Sequence, residues 1–221
     1  MKNLRTICII ILLLPIISML SAQSKTAGIY KLDINFDGEF IEDYYANNKK
    51  GSTKGYSISI LLPDTLIEAI KTLAEDLSEK KLKADVECIY KKNRKGETVT
   101  TVGWGRVEVM PTNSFKGAVS ETDLGNFINI NILIQTGGES IFLGRGYYSK
   151  LEPWVIASVK VLDRGKNEVY ENKISIKDFS TIKSEMIKKG GFAETYSEVL
   201  GPVELYLIIE KTLNKLIIGD K

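Results

Sequence analysis

Residues 56–91, YSISILLPDTLIEAIKTLAEDLSEKKLKADVECIYK, place a helical period between two β periods and thereby decide the fold class. Polar and apolar side chains alternate over residues 57–60 and two leucines follow, which together are typical of a strand with one buried face. An apolar stripe follows at helical spacing, with acidic and lysine residues on the opposite side: Leu66, Ile67, Ile70, Leu73, Ala74 and Leu77. The stretch therefore predicts a strand, an amphipathic helix and a returning strand.

The boundaries of this unit also follow from its residues. Pro63 ends the first strand, and Thr65 stands three residues before Glu68, a spacing that predicts a capping box at the helix start. Val86, Cys88 and Tyr90 stand two residues apart and are expected to point inward from the returning strand.

Strand patterns flank the unit on both sides. Tyr30, Leu32, Ile34 and Phe36 alternate with polar residues. The Asp-Gly pair at 37–38 predicts a tight turn into a second strand over residues 39–45. Further strands are predicted over residues 99–109, 127–134 and 141–143, whereas residues 112–125 show no strong periodicity and are expected to form a loop.

The segment 154–162 is apolar on both faces apart from Ser158 and Lys160, which predicts an internal strand. A turn at residues 163–166 leads into a hairpin partner over 169–176. Two helices are then expected. One carries Phe179, Ile182, Met186 and Ile187 on one face and ends at a glycine pair, and the other begins near Pro202 with a last apolar stripe: Leu205, Ile208, Ile209, Leu213 and Leu216.

This order predicts an α+β protein, with a mostly antiparallel sheet of about six to nine strands on which one central helix and two C-terminal helices pack. Residues 23–221 are expected to form a single domain.

Residues 1–22 have the pattern of a signal peptide. Lys2 and Arg5 form a basic start, residues 8–20 are almost wholly apolar, and small residues precede the cut expected after Ala22. The alternative is an uncleaved anchor, but the apolar run is shorter than the ~20 residues that span a bilayer. We therefore expect an exported protein, periplasmic or secreted, that is not integral to the membrane after cleavage.

Charge and composition exclude several functional classes. The full chain has 30 Lys and Arg against 28 Asp and Glu, and loss of Lys2 and Arg5 with the signal makes the mature chain formally neutral, so no nucleic acid partner is predicted. The chain contains no histidine, which excludes Ser-His-Asp and Cys-His nucleophiles and the usual zinc hydrolase sites. Cys88 is the one cysteine left after cleavage, so it cannot form an intramolecular disulfide, and we expect it to be buried in the core.

Two glycine-flanked aromatic motifs are the candidate binding surface. They are residues 103–106, with Trp104 and Arg106, and residues 144–148, with Arg145, Tyr147 and Tyr148. Aromatic and arginine side chains of this kind form hot spots or stack on sugars. The alternative is that the aromatic residues belong to the core or a sheet edge and the glycines mark bulges or turns.

The segment 33–38 resembles the opening half of an EF-hand calcium loop, with oxygen ligands at Asp33, Asn35 and Asp37 and glycine in sixth place. The twelfth position holds Tyr44 in place of the bidentate acid. In a strand the three side chains would also lie about 7 Å apart, too far for one ion. We therefore favour no metal site and expect no cofactor, and calcium binding here remains an alternative.

The favoured function is a non-catalytic binding or accessory module of the cell envelope, with a protein or glycan partner. A histidine-free hydrolase that works through carboxylates is the alternative from another class. Its candidate acids are Glu121, Asp123 and Glu139, which loop positions alone do not bring together.

The signal peptide leads to the first prediction. Export should remove residues 1–22, so that the intact mass of the exported protein corresponds to a chain beginning at Gln23. Recovery of an uncut chain from the membrane fraction would contradict it and would favour the anchor.

Overall fold

The computed structural model describes residues 26–38, 40, 62–97, 106–110, 113–137, 140–142, 147–150, 152–179, 186–189 and 201–219. The predicted signal peptide over residues 1–22 lies outside these ranges, as do the predicted strand over residues 57–61 and most of those over 39–45 and 99–109. No helix within the described ranges combines the length and the apolar character that crossing a bilayer requires.

Three helices and nine strands are defined in these ranges. The helices are α1 (Asp64–Leu82), α2 (Phe115–Glu121) and α3 (Pro202–Leu213), the last continued by a π-helical turn (Asn214–Ile218). The strands are β1 (Ala27–Phe36), β2 (Val86–Cys88), β3 (Arg106–Glu108), β4 (Asn126–Thr136), β5 (Ser140–Phe142), β6 (Tyr147–Lys150), β7 (Pro153–Asp163), β8 (Glu168–Ile176) and β9 (Met186–Lys189).

The main sheet is mixed. Its strand order is β2-β1-β4-β7-β8, and β3 pairs with the far end of β1. β1 runs parallel to β2 and β4 and antiparallel to β3, while β4, β7 and β8 are antiparallel neighbours. The predicted α+β class is confirmed, but a mostly antiparallel sheet is only partly right. The chain between β1 and β4 is long enough, and carries α1, for the crossover that parallel pairing requires.

One face of this sheet packs against α1 and α3. The isoleucines of β4 alternate inward as predicted, and Ile128, Ile130, Ile132 and Ile134 are all buried. The opposing helices contribute their predicted apolar stripes, including Ile70 on α1. Burial of each such side chain stabilises the fold by about 1.5–3 kcal/mol, so this layer is the main core.

A β-bulge in β1 supplies a second, smaller core on the other face. Ile29 is paired with Ile128, but the next paired residue is Lys31, opposite Asn129, which leaves Tyr30 as the extra residue. Tyr30 therefore joins a cluster beneath α2, whose buried members are Tyr30, Ile89, Ala118, Leu124 and Phe127.

The prediction that residues 112–125 form a loop is wrong, because this segment contains α2. The Ser114 hydroxyl accepts the Gly117 amide at 3.0 Å, which caps the helix start. At the other end the guanidinium of Arg164, from the β7–β8 turn, donates to the carbonyls of Thr122 and Val119 at 2.9 and 3.1 Å. A helix of seven residues depends on such contacts, since its own hydrogen bonds are few.

The predicted capping box at Thr65 is also wrong. The helix begins two residues earlier than that cap requires, at Asp64, with Pro63 as its N-cap and no side-chain cap bond. The Pro63 carbonyl instead accepts the amides of Leu66 and Ile67. At the other end Lys83 takes the left-handed conformation that ends many helices.

Carboxylates of α1 cover the outer edge of β2. The amides of Cys88 and Val86 donate to Glu75 Oε1 at 2.9 Å and to Glu79 Oε1 at 3.2 Å. The spacing of the two carboxylates matches the spacing of the two amides, because four residues of a helix and two residues of a strand both span about 6 Å.

The predicted inward register of Val86, Cys88 and Tyr90 is confirmed, since all three pack on the main core. Cys88 is a free thiol and is only partly buried. This burial, together with a hydrogen bond to Glu75, raises the pKa of the Cys88 thiol well above its usual range. The structure therefore places the cysteine where its reactive thiolate is strongly disfavoured.

Two further boundaries differ from the sequence prediction. Gly38 and Phe40 are helical, so no tight β-turn follows β1, and the Phe40 ring stacks on Phe36 at 5.7 Å. Residues 186–189, expected at the end of a helix, form β9 and pair with β6 in a separate three-stranded sheet. An apolar pattern of only four residues is compatible with both a helix and a strand. Here pairing with β6 makes residues 186–189 a strand.

The hairpin of β7 and β8 and the helix beginning at Pro202 are confirmed. Glu204 reaches back to the amide of Gly201 at 2.8 Å and so satisfies the start of α3. Leu205, Ile208, Ile209, Leu213 and Leu216 are all buried, as their spacing predicted.

Candidate functional site

The second face of the main sheet is covered by α2 at one end, and beyond it lie mostly half-buried side chains, with Ile156 exposed and Asp33 buried. We call two parts of this face the polar ladder and the apolar patch. The polar ladder consists of Lys31, Asp33, Asn129, Asn131, Ser158 and Lys160. The apolar patch consists of Leu133, Trp154 and Ile156. Strand alternation places all of them on this face because their neighbours along each strand are buried in the main core.

Cross-strand register arranges the ladder in rows. Asp33, Asn131 and Ser158 are successive neighbours across β1, β4 and β7, and Lys31, Asn129 and Lys160 form the next row. The amide of Asn131 donates to Asn129 Oδ1 at 3.0 Å. Neighbouring residues within each row lie about 5 Å apart across the strands. The ladder therefore presents amide, hydroxyl and ammonium groups side by side.

The bulge residue Tyr30 supports the ladder from its buried end. Its hydroxyl is hydrogen-bonded to the Asn129 side chain, and its ring packs edge-on against Phe115 at 6.0 Å. Burial raises the pKa of the Tyr30 hydroxyl above its usual value, although the bond to Asn129 partly opposes the rise. Tyr30 is therefore a neutral hydrogen-bonding group at physiological pH.

Charges on the ladder are mostly paired within the chain. Lys31 Nζ lies 3.1 Å from Asp33 Oδ2, and Asp33 is only 4% exposed. Lys160 Nζ lies 2.7 Å from Glu168 Oε2 at the surface, and this bond raises the pKa of Lys160. Exposed pairs of the second kind contribute little to stability, so the Lys160 ammonium remains available to a ligand.

The apolar patch lies beside the ladder. Ile156 is 41% exposed although it belongs to an internal strand, and its neighbours across the sheet are Leu133 and Ser175. Trp154 is half-buried, its indole N–H donates to Ser175 Oγ at 2.7 Å, and Lys177 Nζ lies 4.3 Å from the ring centroid. The expectation that 154–162 is buried on both faces is therefore wrong for Ile156.

The structure leaves the predicted binding surface largely undecided. Trp104 and Arg145 lie outside the described residues. Arg106 pairs opposite Asn35 in the main sheet, whereas Tyr147 and Tyr148 belong to β6 of the small sheet. Strand pairing therefore assigns these residues to different sheets, and a common binding surface remains a prediction.

The predicted carboxylates have structural or solvent contacts where they are described. Glu121 accepts a hydrogen bond from Asn113 at 2.9 Å, and Asp123 is fully exposed, 4.0 Å from Arg164. Glu139 lies outside the described residues. No specific observation thus favours paired acid–base catalysis by these three.

The residues of the EF-hand resemblance are not arranged as a calcium loop. Asp33 and Asn35 lie on β1, which stays extended to Phe36, as the strand interpretation predicted. Within the described part of the chain, no group of three or more His, Cys, Asp or Glu side chains is placed to hold a metal ion.

Sequence reasoning recognised Asn129 and Asn131 as a wet face but missed Lys31, Ser158 and Lys160 as their neighbours. The rows depend on which strands pair, and periodicity alone does not give the pairing. Ile156 was missed because an apolar residue in an apolar strand gives no signal that its face is open.

Comparisons with known proteins give no family. No family model matches the chain, and no curated protein matches it. Among solved structures, a putative neuraminyllactose-binding hemagglutinin homolog from Helicobacter pylori is 9% identical, with a TM-score of 0.38 over 89% of this chain and 83% of that one. The hypothetical protein CT253 from Chlamydia trachomatis is 13% identical, with a TM-score of 0.29 over 89% of this chain and 99% of that one.

The second prediction concerns calcium. Calorimetric titration of the mature protein with calcium should be flat through the micromolar range, because a cation at Asp33 would have to displace the Lys31 ammonium at 3.1 Å. A micromolar isotherm that Asp33→Asn abolishes, while Asp76→Asn on the exposed side of α1 leaves it intact, would contradict the strand-based interpretation.

Proposed function

We propose that this protein is an exported, non-catalytic accessory module of the cell envelope that binds a protein partner through the apolar patch and the polar ladder. The observation that carries the proposal is the exposure of Ile156 in the middle of the sheet, beside Trp154 and Leu133. Single exposed apolar residues are common, but here the half-buried side chains of Leu133 and Trp154 extend the exposed Ile156 into a contiguous apolar area, which is more typical of a contact surface.

The surroundings of the patch have the composition of a binding interface. Interfaces combine an apolar or aromatic centre with a rim of hydrogen-bonding groups. Here Ile156 and Trp154 form the centre, and Ser158, Asn131 and Lys160 supply hydroxyl, amide and ammonium groups on one side of it. Tryptophan is also among the residues that contribute most to binding energy at such surfaces.

A protein partner fits this surface better than a glycan. Sugar recognition by stacking needs an open aromatic face, whereas Lys177 already lies over the Trp154 ring and Ser175 takes its N–H. A protein contact to Ile156 requires neither group to move.

Export supports the assignment to the envelope but rests on the signal-peptide pattern of residues 1–22. The absence of histidine from the whole chain and the structural contacts of Glu121 favour binding over catalysis. The formally neutral mature chain gives no support for a nucleic acid partner.

The third prediction tests the patch. Ile156→Glu should weaken binding of the envelope partner at least tenfold, about 1.4 kcal/mol, because it places a charge in the apolar centre. The matched control is Val203→Glu, at a 58% exposed position on α3 behind the other face of the sheet, which should bind as the wild type does.

The measurement is capture of envelope proteins and of an arrayed glycan set by immobilised mature protein, followed by titration of each captured component. A protein that binds the wild type and the Val203 variant, but not the Ile156 variant, is the expected result. The proposal would be overturned if both variants bound as the wild type does, or if both lost binding. If a glycan were the sole component captured, it would replace the protein as the partner.

A further inference from the structure

The two edges of the main sheet differ in how their backbone is satisfied. At one edge β2 has three residues, and Glu75 and Glu79 accept the outward amides of Cys88 and Val86. At the other edge β8 has nine residues and, in the part of the chain that the structure describes, pairs with β7 alone. Long edge strands with free amides and carbonyls add further strands unless something prevents it.

The side chains of β8 do not have the character that prevents strand addition. Sheet edges are often blocked by proline, by an inward-pointing charge, by lysine or by a bulge. β8 has a bulge at Val169, near its start, but residues 170–176 pair regularly with β7 and contain no proline, and their one lysine, Lys173, is held in an ion pair with Glu171. On the second face β8 carries Glu171 and Lys173, on either side of Asn172, and near its start Glu168, which pairs with Lys160. On the first face the residues flanking Asn172 are Tyr170 and Ile174, both partly buried against the main core.

We propose that β8 pairs antiparallel with β8 of a second copy of this chain, about a two-fold axis at Asn172, and so joins two main sheets into one. The axis places Glu171 of each copy opposite Lys173 of the other, which forms two ion pairs. It also places Tyr170 opposite Ile174 on the first face. An isologous contact of this kind is self-complementary and closes after two copies.

The charges select this register. Moving the axis to Glu171 would place two glutamates opposite each other, and moving it to Lys173 would place two lysines opposite each other, both unfavourable across a strand pair. Within one copy Lys173 Nζ lies 3.0 Å from Glu171 Oε1, and this contact holds the pKa of Glu171 below its usual value. Dimer formation adds a second oppositely charged neighbour to each group without burying an unpaired charge.

This contact is separate from the proposed partner surface. β8 lies at the edge of the sheet, whereas Ile156 lies on β7 and faces out of the sheet. The dimer would therefore present two copies of the apolar patch on one continuous sheet face. A failure of the dimer would leave the proposed binding function untouched, and the reverse also holds.

The fourth prediction uses charge reversal and sedimentation equilibrium of the mature protein. Lys173→Glu should weaken the dimer at least about tenfold, because it places Glu171 opposite a glutamate of the second copy. The double variant Glu171→Lys with Lys173→Glu should restore wild-type association, since the pairs are then exchanged in sign. Lys116→Glu, a charge reversal at an exposed position on α2 and away from β8, is the matched control and should associate as the wild type does.

Each outcome of the sedimentation experiment either supports or overturns the dimer. A dimer that is lost in the single variant and regained in the double variant supports the proposal, and circular dichroism of each variant shows that the loss is not unfolding. A wild-type protein that stays monomeric at its highest soluble concentration overturns it. A wild-type dimer that the single reversal does not weaken, or that the double reversal does not restore, overturns the β8 contact.

Discussion

The bulge at Tyr30 is the local constraint on which both faces of the main sheet depend. A regular strand that buries Ile29 would point Leu32 to the opposite face, because side chains alternate with a period of two. The extra residue corrects the phase, so Ile29 and Leu32 are both fully buried in the main core. Tyr30 itself is directed to the other face, where it forms the smaller core with Phe127.

The same bulge attaches α2 to the sheet. The carbonyl of Tyr30 accepts a hydrogen bond from the amide of Asn113 at 3.0 Å, and Phe115 packs edge-on against both Tyr30 and Phe127. Arg164 ties the far end of the helix to the β7–β8 turn through three backbone carbonyls. α2 therefore covers one end of the second face, and the ladder and the patch lie beyond it.

How far the sequence predicted this structure depended on how local each determinant is. The buried isoleucines of β4, the β7–β8 hairpin and the stripe of α3 were predictable because their periods are long and uninterrupted. The parallel pairing of β1 with β4 was not, because it joins segments separated by α1 and leaves no local pattern. α2 was missed because its ends depend on Ser114 and on Arg164, which is distant in sequence. The site was predictable in part, through the polar alternation at Asn129 and Asn131, but the exposure of Ile156 depends on which face the helices leave open.

Amide hydrogen exchange in Tyr30→Ala tests the role of the bulge most directly. Truncation of this buried ring costs about 3 kcal/mol or more, and the loss should fall on the second face. The Ala118 amide of α2, which donates to Ser114, should then exchange much faster than in the wild type, while the Val159 amide of β7 keeps most of its protection. Equal loss of protection at both amides, or no change at Ala118, would contradict the account.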